Sequence, residues 1–408
     1  MLRALSSAVS GLRTNQAELD VIGNNIANVN TVGFKASQTL FSDLLNQTIA
    51  GEQAPSGTVG GKDAMQIGLG SNLAAIRTIF TQGIIQSTNN PSDLAIQGEG
   101  FFILHNGSNT LYTRAGGFTL DANGTLVDAT TGYRLQGAAG DIQIAPGSMI
   151  AGSATTTEQF GGNLDASQPD GTTHVITFSV NDSLGTAHSL ALTFTKNYAA
   201  APGQWDFSVA TTDPSITSLT GSTGSVTFDT AGTIASGATA NLGVAFAAAT
   251  GVVTPQAVTL DFGSAGSSSR LTGNAANSTA TLTRQDGFAA GTLRSWSIGS
   301  DGSINASYDN GRNTILDTIQ LATFDNPGGL LHAGQNMFTV SSNSGLAHVG
   351  SPGAGGAGTL LPGALEGSNV DLARQFTDLI TAQRGFEASA RIIRVGDEIL
   401  QTVVNIKQ

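Results

Sequence analysis

Residues 365–404 read LEGSNVDLARQFTDLITAQRGFEASARIIRVGDEILQTVV. Leu365, Leu372, Leu379, Phe386, Ile393 and Leu400 recur every seven residues, with Phe376, Ala390 and Val404 at a companion position that Gln383 and Asp397 interrupt. Apolar residues at this spacing form a narrow stripe along an α-helix, the seam of a coiled coil. Ser368 or Asn369 offers an N-cap, and Asp371 falls in the first turn, where a carboxylate complements the helix dipole. A helix from there to Ile406 spans roughly 55 Å at about 1.5 Å per residue. A strict seven-residue period asks for another helix alongside.

The other end of the chain answers that need. Leu5, Leu12, Leu19 and Ile26 share one heptad position, and Leu2, Val9, Gln16 and Gly23 its companion. Asn28, Asn30 and Gly33 then stop the pattern, since Asn and Gly favour turns and helix ends. Two readings compete: each helix packs on a globular domain, or the two pair with each other and with neighbouring copies. Their placement at opposite ends of a β-like chain favours the second. Such helices are marginal alone, so residues 1–28 and 370–406 are expected to fray in free subunits and order on assembly. The expected interface comprises Leu5, Leu12, Leu19, Ile26, Leu372, Phe376, Leu379, Phe386, Ile393 and Leu400. Asn24, Asn25 and Asn28 join it, either as caps of the helix end or as links between subunits.

Between the ends the period changes to two. Ile176, Phe178 and Val180 alternate with polar residues, as do Leu190, Leu192 and Phe194, then Trp205, Phe207 and Val209. Val226 with Phe228, and Val258, Leu260 and Phe262, continue the series. Alternation of this kind marks half-buried strands, and Asn181-Asp-Ser-Leu-Gly185 supplies a turn between the first two. Short strands with Gly, Ser and Thr turns predict an antiparallel sandwich or barrel. A second β region flanks the first on both sides. It comprises residues 93–104, residues 117–127 with an Asn123-Gly124 hairpin turn, residues 296–304 with Asp301-Gly302, and residues 317–324. The expected fold class is therefore multidomain, with paired long terminal α-helices forming a coiled coil and two mainly antiparallel β domains, one inserted in the other. The expected boundaries are residues 1–30 and 364–408 for the helices, 31–71 for an extended linker, 72–145 and 285–358 for an inner β domain, and 146–284 for an inserted outer β domain. Residues 341–363 read as a flexible linker into the last helix.

Composition narrows the chemistry. Only 11% of the 408 residues are charged and 53 are Gly, which fits a turn-rich β protein of several domains. A net charge of −12, with 17 Lys plus Arg and no basic run, argues against nucleic acid. No stretch approaches a membrane span, and the first 30 residues lack a secretory h-region, so an extracellular location would require exit without a cleaved signal. The absence of cysteine removes disulfides and thiolate sites. None of His105, His174, His188, His332 and His348 has metal-ligand spacing, although His174 and His188 flank two strands and could approach across a hairpin. The Gly98-Glu-Gly100 and Gly353–Gly358 stretches lack the Lys and the frame of a phosphate loop. No catalytic, cofactor or metal residue is assigned, and assembly rather than catalysis is expected.

Two motifs sharpen this. The segment Val21-Ile-Gly-Asn-Asn-Ile-Ala-Asn-Val-Asn-Thr-Val-Gly-Phe-Lys35 resembles the N-terminal signature of flagellar rod and hook proteins. Ala364-Leu-Glu-Gly-Ser-Asn-Val-Asp371, followed by Ala382-Gln-Arg-Gly-Phe386, resembles their C-terminal signature. Residues 118–137, 305–311, 324–330 and 334–338, with the 181–195 strand pair and Trp205, are similar to hook members in particular. The resemblance implies a helical homopolymer, a hollow flexible joint that transmits torque between rod and filament, exported by the flagellar type III apparatus. It also implies rod proteins as partners at the base, a hook cap during assembly, and hook–filament junction proteins at the tip. The alternatives are a distal rod subunit or other axial linker, and, in another class, an extracellular β-rich adhesin or secreted enzyme.

Overall fold

Helix α1 (Leu2–Ala27) and helix α2 (Leu372–Ile406) stand at the two ends of the chain, and the elements between them are almost all strands. The structure is a computed structural model describing residues 2–55, 57, 60–247 and 251–406. The side chains of Leu2 and Val404, both read as heptad positions, lie outside the described residues. α1 stops where Asn28 turns its amide back, its Nδ2 donating to the Asn24 carbonyl at 2.9 Å. α2 is capped by Asp371, whose Oδ1 accepts the Ala373 and Arg374 N–H groups at 2.9 and 3.2 Å. Neither Ser368 nor Asn369 caps it. Asn369 is instead committed to the Ala36 N–H and the Ile79 carbonyl, at 2.8 Å each.

The chain divides into two compact units, one of Met1–Ala145, Ser297–Asn305 and Ile315–Gln408, the other of Pro146–Trp296 and Ala306–Thr314. In the first, α1 is followed by a long antiparallel ribbon rather than the expected extended linker over 31–71. Ser37–Asp43 pairs with Ser71–Thr78, and Asn46–Ala50 pairs with Met65–Gly68. The pairing is carried by Thr39, Leu40 and Phe41 against Leu73 and Ile76, strand-forming residues that the surrounding Gly and Ser obscure. A larger sheet centres on Phe101–His105, which pairs with Thr110–Thr113, Arg134–Gly137 and Leu321–Thr323. Phe101, Ile103, Tyr112, Phe324 and Phe338 pack on one side, while Phe102 meets Phe118 edge to face at 5.0 Å on the other. The hairpin turn at Gly124 needs glycine: φ is +78°, and a Cβ there would lie 2.4 Å from Ala145 Cα. Residues 341–363, expected to be flexible, contain two paired strands, His348–Gly350 against Leu321–Thr323 and Thr359–Pro362 against Leu94–Gln97.

The core of the second unit lies between two sheets. Thr173–Asn181, Ala187–Lys196, Gln204–Ala210, Thr223–Phe228 and Ile234–Ser236 make an antiparallel five-stranded sheet. The other is mixed, because Thr157–Asn163 runs parallel to Gln256–Asp261. Every apolar residue singled out by alternation, from Ile176 to Phe262, is buried in this core. Register follows the pattern, with Ile176 opposite Leu192 and Phe178 opposite Leu190.

Candidate assembly surface

α1 and α2 lie side by side and antiparallel. A Cβ on Gly396 would fall 2.7 Å from Leu5 Cδ2, one on Gly11 would fall 3.2 Å from Ser389 Oγ, and one on Gly385 would fall 2.8 Å from Asn15 Oδ1. Near the other end Asn25 Nδ2 donates to Gln375 Oε1 at 3.0 Å. Numbers rise on one helix as they fall on the other. The closest approaches run through small and polar residues, because these let helix axes come near. On α2 the inward companion series is therefore Gln375, Ala382, Ser389 and Gly396, one residue displaced from the Phe376 and Ala390 series. On α1 the buried positions are Ala8, Thr14, Ile22 and Asn25, whereas Val9 is 38% exposed. Leu5, Leu12, Leu19, Ile26, Leu379, Phe386 and Ile393 are half-buried beside this seam. α1 also touches the ribbon, where Ser10 Oγ accepts the Ser71 N–H at 3.2 Å.

Around the rest of α2, apolar residues stay uncovered. Leu372, Phe376, Ile380, Ile392, Val395 and Ile399 are 40–52% exposed, and Leu400 is 36% exposed. Arg384, Glu387 and Arg391 border a shallow groove over Ala388, Ile392 and Val395. This much exposed apolar side chain on one helix is more than scattered surface residues account for.

Where α1 leaves the pair, its asparagines hold the exit. Asn25 is 1% exposed; its Oδ1 accepts the Ser37 N–H at 2.9 Å and its Nδ2 donates to the Ser37 carbonyl at 2.8 Å. Asn28 is half-buried and bonded to Asn24, which is exposed. Just beyond, Gly33 adopts φ +69° with Ala115 N 2.5 Å from where a Cβ would sit. A charge cluster that sequence reading missed ties both motifs together. Lys35 Nζ lies 2.6 Å from Glu366 Oε1, and Arg114 Nη1 lies 3.3 Å from Glu366 Oε2, all three side chains being buried. Glu366 Oε1 also accepts the Gly83 N–H, while Lys35 donates to the Thr81 carbonyl. Burial pushes the Lys35 ammonium and Arg114 guanidinium below their ordinary values, against the pull of Glu366. The signal was a Lys and a Glu within the two quoted motifs, 331 residues apart. His174 and His188 do not meet: they sit at opposite ends of their strand pair, and His188 lies between Asp182 and Asp213 at 3.1 and 2.8 Å.

Helices at both ends, an asparagine-locked exit and a strand-rich middle match known sequences along the whole length. Residues 5–35 match the flagella basal body rod protein family, 95–159 the flagellar hook protein FlgE/F/G D1 domain, 149–288 the flagellar basal body protein FlaE D2 domain, and 361–406 the flagellar basal body rod FlgEFG protein C-terminal region. The flagellar hook protein FlgE of Treponema pallidum is 37% identical, with all of both chains covered. The chain belongs to the flagellar hook protein family. Other hook-family relatives agree: FlgE of Borreliella burgdorferi is 38% identical over all of both chains, and FlgE of Escherichia coli is 34% identical over 99% of this chain and all of that one. The rod protein FlgG of Bacillus subtilis is 32% identical over all of both chains, so the rod alternative stands near the hook family but behind it. Among solved structures, the Helicobacter pylori flagellar hook protein FlgE2 shares the fold, with a TM-score of 0.52 and 13% identity over 67% of this chain and 98% of that one.

Proposed function

We propose that this hook-family chain polymerises helically into a hollow, bendable tube that joins motor rod to filament and transmits torque. The observation that carries the reading is the set of apolar side chains on α2 that α1 leaves uncovered. In this reading the antiparallel helices act as a coiled coil that lines the lumen, and the uncovered apolar residues between Leu372 and Ile399 pack on helices of neighbouring subunits. Leu5, Leu12, Leu19, Ile26, Leu379, Phe386, Ile393 and Leu400 set the spacing of those contacts. Asn24, at the exposed exit of α1, offers its Nδ2 to a neighbour, while Asn25 and Asn28 fix the exit itself. Residues 146–284 act as a domain inserted between 72–145 and 285–358, and the strand-rich regions carry further contacts that repack as the tube bends. Export through the flagellar type III apparatus places the chain outside the cell. Rod proteins at the base, a cap during growth and junction proteins at the tip are its other partners.

Deleting residues 366–408 would also remove Glu366 from the buried cluster, so outward substitutions give the cleaner test. Phe376→Asp with Ile380→Asp avoids the α1 seam and places two carboxylates among the uncovered apolar residues. Light scattering of the purified double variant is expected to show no polymer at concentrations where the parent chain assembles, with its melting unchanged. Assembly at the parent's rate would overturn the proposal.

A further inference from the structure

Three Asn-Gly pairs, Asn106-Gly107, Asn123-Gly124 and Asn310-Gly311, lie in turns. In such pairs the backbone nitrogen of the glycine can attack Cγ of the asparagine, since glycine places no side chain in the way. The three turns differ in what holds that nitrogen. The Gly124 N–H donates to the Asp121 carbonyl and the Gly311 N–H to the Tyr308 carbonyl, each at 3.0 Å. The Gly107 N–H has no partner among the described residues.

The acceptor side separates them again. Asn106 Oδ1 accepts two backbone N–H groups, from Ser108 at 3.1 Å and Asn109 at 2.9 Å. Asn310 Oδ1 accepts only the Arg312 N–H, and its Nδ2 is tied to the Ala289 carbonyl at 2.7 Å. The Asn123 side chain has no hydrogen bond among the described residues; only its backbone does, to Asp121 and Gln143. Asn106 therefore combines an unoccupied nucleophile with two donors aimed at the oxygen on which charge develops, the arrangement that stabilises an oxyanion.

We infer that Asn106 is a site of spontaneous deamidation in the folded protein. Solvent hydroxide takes the Gly107 amide proton, and the nitrogen bonds to Cγ. The carbonyl electron pair moves to Oδ1, where the Ser108 and Asn109 N–H groups hold it. As that pair returns, the Cγ–Nδ2 bond breaks and ammonia leaves with a proton from water. A second water opens the resulting succinimide at either carbonyl to give aspartate or isoaspartate. The turn between Phe101–His105 and Thr110–Thr113 thereby gains one negative charge and records the age of the subunit.

The full-length chain, held folded in mildly alkaline buffer and sampled over time, is digested and its Asn-Gly peptides are followed by mass spectrometry. Asn106 should convert at least roughly fivefold faster than Asn123 or Asn310, the rate equivalent of one hydrogen bond of about 1 kcal/mol. In urea the three should convert at similar rates. Either no lead for Asn106 in the folded chain, or the same lead in urea, would overturn the inference.

Discussion

Glu158 sits on the Thr157–Asn163 strand and faces the same buried side as Phe160. Its carboxyl is fully buried, and neither oxygen has a hydrogen-bond partner among the described residues. Burial, with a smaller push from Asp286, raises it to about 8 from an ordinary 4.5. Because the folded chain holds this proton more tightly than the unfolded chain, its stabilising effect is fully present below pH 4.5 and is lost as pH rises through about 8. Glu158→Gln keeps the shape without the charge. It should stabilise the 146–296 unit by on the order of 2 kcal/mol at pH 9 and hardly at all at pH 4.5, read from Trp205 fluorescence in urea. The buried cluster predicts the opposite sign. Glu366→Ala strands Lys35 and Arg114 in a dry site and should destabilise the unit holding them by about 3 kcal/mol, seen by calorimetry as a lowered transition. Neither group was legible beforehand. A charge inside a motif looks the same whether it faces water or closes a contact hundreds of residues away.

At the scale of elements, the helices were the most legible part. Heptads depend only on local spacing, so α1 and α2 appear close to where the pattern ends. Which face turns inward was less legible. The large residues suggest a seam of Leu and Phe, yet the closest contacts use Gly11, Gly385, Ser389 and Gly396, because two backbones approach best where side chains are smallest. Phe376 and Leu372 consequently turn outward, where a single chain leaves them uncovered. Gly396→Leu should force the seam apart at Leu5 and destabilise the pair by about 2 kcal/mol. Faster amide exchange in residues 2–12 and 389–400 would report it, and unchanged protection would show that the helices are not in close contact there. The strands at 173–181, 187–196 and 204–210 were equally plain, since each alternates for at least five residues, whereas Thr157–Asn163 and Thr239–Phe246, broken by Gly, carried no such signal. The ribbon over 37–78 was not, because its pairing joins segments separated by a Gly- and Ser-containing loop, and a hairpin of that length has no short-turn signature.

For the whole molecule, sequence and structure agree on a chain with helices at its ends and β units between, and relatives across its full length place it among hook proteins. The account rests on one asymmetry. α2 carries more apolar surface than a single copy of the chain covers. A cryo-electron microscopy map of tubes grown from the purified chain tests this directly. The account predicts α1 and α2 at the innermost wall, with Leu372, Phe376, Ile380, Ile392 and Val395 packed against helices of neighbouring subunits. A tube in which those residues face solvent, with the helices away from the lumen, would contradict it.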